Sequence, residues 1–142
     1  MSTVRVHVTH SFTSSPQEVF DALSEHENLG PLFGANITRL RDGETSRNGV
    51  GSARTLRIVP LLPGFVETTT VSEPPHLIEY RITGGLAPIK DHHGVQRLMP
   101  RPDGGTDLDY AIAFDSAVPG LAPVVGKVLT RTLTKALPNL VP

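Results

Sequence analysis

Apolar and polar residues alternate from the start of the chain: Val4, Val6, Val8, His10 and Phe12 interleave with Arg5, His7, Thr9 and Ser11, the period of a half-buried strand. Ser15-Pro16-Gln17-Glu18 then predicts a helix start, with Ser as N-cap, Pro at the first helical position and Glu closing a capping box. Val19, Phe20 and Leu23 form its apolar stripe, and the helix is expected to run to Glu27 or Asn28. Leu29-Gly30-Pro31 breaks it, leaving Leu32-Phe33 to pack as a short second turn.

From residue 35 to residue 115 the period returns to two. Strands are predicted at 35–42, 50–59, 64–73, 76–83, 89–99 and 105–115. Between them lie Asp42-Gly43, Asn48-Gly49, Pro60 to Gly64, Pro74-Pro75, Gly84-Gly85 and Asp103-Gly104-Gly105. None of these connections has room for a parallel crossover, so the sheet is expected to be an antiparallel meander. After Pro119-Gly120 the spacing becomes helical, with Leu121, Val125, Val128, Leu129, Thr132, Ala136 and Leu140 on one side. Pro123 is tolerated only in a first turn, which predicts a helix from 121 or 122 to just before Pro138, roughly 24 Å long.

The order is therefore α+β: a strand, a helix with a short helical turn, six more strands and a long C-terminal helix. A seven-stranded antiparallel sheet of this kind twists, and its one apolar partner of matching length is that last helix. The sheet is expected to curve around it. Only 5% of residues are aromatic and Trp is absent, so the inward rows look too light to fill the space. A ligand-sized cavity of ~300 to 1,000 Å³ is the expectation.

Composition narrows the function. The 142 residues suit a single domain over 1–142, and 38% hydrophobic with 19% charged is a globular balance. There is no apolar run long enough to span a bilayer and no secretory h-region, which predicts a cytoplasmic protein. With no cysteine there is no disulfide, thiolate chemistry or cysteine metal site. Thirteen Lys and Arg against fourteen Asp and Glu provide no basic field for nucleic acid. No GxSxG, P-loop, dinucleotide fingerprint or HExxH occurs, which removes the common hydrolase, nucleotide and zinc-protease readings.

Several local motifs stand in a telling order. They are Ser15 to Phe20, Gly49-Val50-Gly51-Ser52 leading to Arg54, Glu67 seven residues before Pro74-Pro75, and Tyr80-Arg81-Ile82. Ile89-Lys90-Asp91-His92 follows, then Gly104-Gly105-Thr106 opening a strand with Leu108, Tyr110, Ile112 and Phe114 on one face. Together they resemble the START-like superfamily, also called SRPBCC, and within it the polyketide cyclase/dehydrase and lipid-transport branch, over nearly the whole chain. The resemblance implies a helix-grip fold and a hydrophobic ligand site; no cofactor is expected. It implies no particular reaction, since one fold carries many functions. Relatives often have Tyr where this chain has His92, and an apolar residue where it has Gln96, so the ligand's polarity is open.

Arg54 shares a face with Leu56 and Ile58, and Glu67 with Phe65 and Val71, on neighbouring strands. Facing inward, the two charges would either orient a polar group of a ligand or form a structural ion pair at the rim. In a regular strand, Asp91 and His93 would share one face and Lys90 and His92 the other; the family pattern points His92, Gly94, Gln96 and Leu98 inward. His92 could then act as a general base or acid, or be a solvated histidine at a loop end. Adjacent His92 and His93 diverge, and no third ligand is spaced to help, so no metal site is expected. His10 is either a cavity group or a hydrogen-bonded core histidine, and Tyr80 and Tyr110 either line a cavity or fill a core.

Three functions follow. The first is binding of a small hydrophobic or aromatic ligand by His10, Arg54, Leu56, Glu67, Tyr80, His92, Gln96, Tyr110, Val125 and Leu129. The second is a cyclase- or dehydratase-type enzyme with His92 or Glu67 moving protons, and the third a protein-interaction module. A homodimer is left open.

Overall fold

A computed structural model describes residues 3–57, 64–85 and 88–142. Strand β1 (Val4–Phe12) leads into helix α1 (Pro16–Ser24). The capping box is formed: Ser15 Oγ accepts from the Glu18 N–H, and Glu18 Oε1 accepts from the Ser15 N–H, each at 3.3 Å. The helix stops at Ser24, short of the expected end at Glu27 or Asn28. Glu25 turns to extended backbone, and its carboxylate accepts from Arg39 at 3.0 Å and Arg47 at 2.8 Å. A single 3-10 turn (His26–Asn28) and the four-residue helix α2 (Gly30–Phe33) complete the crossing.

The strands that follow are β2 (Asn36–Arg41), β3 (Ala53–Arg57), β4 (Phe65–Glu73), β5 (Leu77–Gly85), β6 (Lys90–Pro100) and β7 (Thr106–Asp115). All pair antiparallel in the order β1-β7-β6-β5-β4-β3-β2, and helix α3 (Leu121–Ala136) follows. The first two strands in sequence thus lie at opposite edges. The helical segment between them crosses the sheet, α1 meeting β6 and α2 meeting α3. The predicted strand 50–59 is shorter: residues 50–52 belong to a turn, and 58 and 59 lie outside the described residues, as do Pro60 to Pro63 of the next connection. No helix among the described residues is long and apolar enough to cross a membrane.

Helix α3 packs across β1 and α2. Gly126 makes the close approach: a Cβ there would stand 2.8 Å from the Arg5 carbonyl oxygen. This rotates the helix so that Ala122, Gly126 and Leu133 are buried, whereas Val128, expected on the inner stripe, is 56% exposed. The core joins Val6, Val8 and Phe12 of β1 to Leu108, Tyr110, Ile112 and Phe114 of β7, and Val19, Phe20 and Leu23 of α1 cover it. Val4 leaves the inward row, because a register shift between Val4 and Val6 turns it to solvent.

Candidate ligand cavity

Three bulges decide which side chains meet inside the sheet. Thr70 is an extra residue in β4: Thr69 opposes Tyr80 and Val71 opposes Glu79. Val71 is therefore on the outer face, correcting the expectation that it shares Glu67's row. In β5 the extra residue is Thr83, with Val66 opposite Gly84 and Glu67 opposite Ile82. The third bulge is at Asp91, which takes a positive φ of 54°. It puts Lys90 opposite Asp115 and His93 opposite Ala113, so Lys90 and His92 do not share a face.

Beyond that bulge the inward row is His92, Gly94, Gln96 and Leu98, the row the family pattern predicts. His93 faces outward and bonds Glu79, so the two histidines diverge. The β5–β6 ladder runs only from Leu77 to Tyr80, opposite Arg97 to Gly94. Past it, the Ile82 N–H donates to His92 Nδ1 at 3.0 Å, so the imidazole takes the place of a backbone carbonyl.

The cavity lies between this part of the sheet and α3 and measures about 190 Å³. Its apolar wall comes from Leu56 and Phe65, Ile82 and Ile89, and Ile112 and Phe114. Phe33 closes one side, and Leu121, Val125 and Leu129 supply the helical side. Glu67, Tyr80 and His92 bring the polar atoms. The volume is below the ~300 Å³ lower bound expected from composition. All five Phe and both Tyr are buried or line the cavity, so a low aromatic count still fills much of the interior.

Beneath the cavity is a buried polar network. Arg54 and Glu67 are each 3% exposed, and Arg54 donates to Glu67 Oε1 from Nη2 at 2.7 Å and from Nε at 3.2 Å. The guanidinium lies 5.0 Å from the centre of the Tyr80 ring. The Tyr80 and Tyr110 hydroxyls bond each other. Gly94 makes room for Tyr80, since a Cβ there would fall 2.3 Å from the ring. Burial raises the pKa of both tyrosines, most of all Tyr80.

Glu67 Oε2 is 3.6 Å from His92 Nε2. Burial pushes the Glu67 carboxyl up, against the pull of Arg54. Desolvation first, and the Arg54 charge next, lower His92 to about 3, so the ring is neutral at physiological pH. A neutral ring that accepts at Nδ1 carries its proton on Nε2. His92 thus presents an N–H donor to the cavity, and the general-base role considered from sequence has no free nitrogen to perform it.

Of the residues predicted from sequence, Leu56, Glu67, Tyr80, His92, Val125 and Leu129 line the cavity. Arg54 is one layer beneath it. Tyr110 and Gln96 are buried on the far side of Tyr80, Gln96 pairing across the ladder with both Ile78 and Tyr110. His10 is far away, half-buried at the β1 edge with its ring edge-on to Phe12 at 4.6 Å. Sequence reasoning did not place Phe33, Phe65, Pro88, Ile89 or Phe114 in the wall, nor Ile82, Ile112 and Leu121, although these last three were within reach of the same periods: two residues beyond Tyr80 and Tyr110, and one turn before Val125.

This is a helix-grip fold of the START-like, SRPBCC type, with its cavity between sheet and long helix. Residues 3–142 match the family described as polyketide cyclase/dehydrase and lipid transport, and the chain belongs to that family. Similar solved structures include a START superfamily protein from Mycobacterium smegmatis, 15% identical with a TM-score of 0.72, covering 95% of this chain and 92% of that one. A Thalictrum norcoclaurine synthase mutant, solved with a transition-state analogue, is 15% identical with a TM-score of 0.70 and coverage of 99% and 91%. A Chromobacterium violaceum protein is 18% identical with a TM-score of 0.71 and coverage of 96% and 95%. No curated protein sequence matches significantly.

Proposed function

We propose that this protein binds a compact, mostly apolar molecule with at least one polar group, held between the sheet and α3. The observation that carries this reading is the cavity of about 190 Å³, apolar on nearly every side, with Glu67, Tyr80 and His92 as its polar members. An apolar cavity of ~150 Å³ is enough to take up a single aromatic ring. The volume therefore suits a ring-sized guest better than a long acyl chain, and membership of a family that includes lipid transport fits the apolar walls.

Native mass spectrometry of the purified protein is expected to show a retained small molecule, and a small neutral fluorescent dye such as 2-naphthol is expected to bind the emptied protein. Leu129→Trp, which fills the cavity from α3, should abolish dye binding with the circular dichroism unchanged. Equal dye binding by wild type and L129W would sink the reading.

A second reading, a proton-moving enzyme of the cyclase or dehydratase type, is favoured by one feature: a buried carboxylate with its pKa pushed up and one oxygen left over from its ion pair. In that reading Glu67 takes the proton and His92 donates a hydrogen bond. Once a substrate is in hand, Glu67→Gln should cost at least 10²-fold in kcat, and unchanged turnover would exclude it.

A further inference from the structure

Resting on the binding reading above, we infer that the cavity selects a neutral hydroxyl compound of about one ring, whose OH donates to Glu67 Oε2 and accepts from the His92 Nε2–H. The inference begins with the tautomer. The Ile82 N–H occupies His92 Nδ1 at 3.0 Å, which leaves Nε2 as a donor. That nitrogen is 3.6 Å from Glu67 Oε2, too far for a good hydrogen bond. One oxygen placed ~2.8 Å from both can bridge them, and only a group that both donates and accepts satisfies the two.

Glu67 is held as a carboxylate because its loss would strand the Arg54 guanidinium without a counter-charge. Oε1 already accepts both Arg54 N–H groups, so Oε2 is the oxygen left for a guest. Arg54 is spent on that pair and covered by the Tyr80 ring, and no Lys or Arg lines the cavity among the described residues. Segments 58–63 and 86–87, outside the described residues, contain no ionisable side chain in sequence. A guest carboxylate would thus meet Glu67 with no cation of its own to bind. An ether can accept from His92 but brings no proton to Oε2, leaving a buried acceptor unpaired.

The test is a series with one apolar body: 4-methylphenol, its methyl ether 4-methylanisole, and 4-methylbenzoate, each titrated calorimetrically against the full chain at pH 7. The phenol is expected to bind at least tenfold more tightly than the ether, and the benzoate at least a hundredfold more weakly than the phenol. The double variant R54M/E67L, which removes the Oε2 acceptor without stranding a charge, should bring phenol and ether to within about twofold, whereas His92→Phe, which removes the donor both ligands accept from, should weaken both and keep the phenol preference. Nitrogen-15 NMR of the wild-type ring gives an independent reading, with Nε2 protonated and Nδ1 bare. Three ligands binding equally would overturn the selectivity and leave the apolar-binding reading intact. Binding of none would overturn both, and a benzoate preference or a ring protonated on Nδ1 would overturn this inference alone.

Discussion

Arg54 and Glu67 provide the sharpest energetic test. Both side chains are 4% exposed, and a two-pronged contact of 2.7 and 3.2 Å joins them. Replacing Arg54 by Met leaves a buried carboxylate without its partner, which costs about 3–5 kcal/mol, and Glu67→Leu strands the guanidinium at a similar cost. The double variant R54M/E67L removes both charges and replaces them with apolar groups, so it is expected within about 1 kcal/mol of wild type. Urea denaturation followed by circular dichroism measures all four corners of the cycle, and a coupling energy of at least about 3 kcal/mol is expected.

A pH series adds an internal check. In R54M the folded-state pKa of Glu67 rises further above its unfolded value, so the destabilisation is full above the folded pKa and shrinks as pH falls and the carboxyl protonates. A cost below about 1 kcal/mol for R54M, or strictly additive effects, would refute the argument that the pair is desolvated and mutually dependent.

Other outcomes follow from the same geometry. His92 has a folded pKa of about 3 against 6.5 for a free histidine, so the unfolded chain binds more protons between these values. Stability is lost as pH falls through that window, by up to about 1.4 kcal/mol per pH unit for this group, and His92→Gln should flatten the slope by that amount. NMR titration that finds His92 protonated at pH 6 would overturn this. Gly94→Ala forces the Tyr80 ring from its seat and is expected to cost about 1–3 kcal/mol in chemical denaturation; an unchanged midpoint would contradict the contact. Tyr110→Phe leaves the Tyr80 hydroxyl without its observed partner and should cost about 1–3 kcal/mol, more than the further loss in Y80F/Y110F. Ser15→Ala opens the capping box and should lower stability by about 1 kcal/mol, measured the same way.

Local chemistry alone determined much of this protein. Period-two runs, the Ser15 capping box and Pro123 in a first turn specified the elements and their order, because each depends on residues within a few positions of one another. The Arg54–Glu67 contact was also foreseeable, as two charges on apolar rows of neighbouring strands. Tertiary structure decided what no local pattern encodes. One extra residue at Thr70 sent Val71 to the outer face, and one at Asp91 separated Lys90 from His92, since a single insertion reverses every later side chain in a period of two. The end of the β5–β6 ladder then left the Ile82 N–H for His92 Nδ1, and that bond, formed across ten residues of sequence, settles which nitrogen faces the cavity. Cavity size was likewise a collective outcome: all seven aromatic rings turned inward, and Gly94 let Tyr80 lie across the floor where sequence had suggested open space.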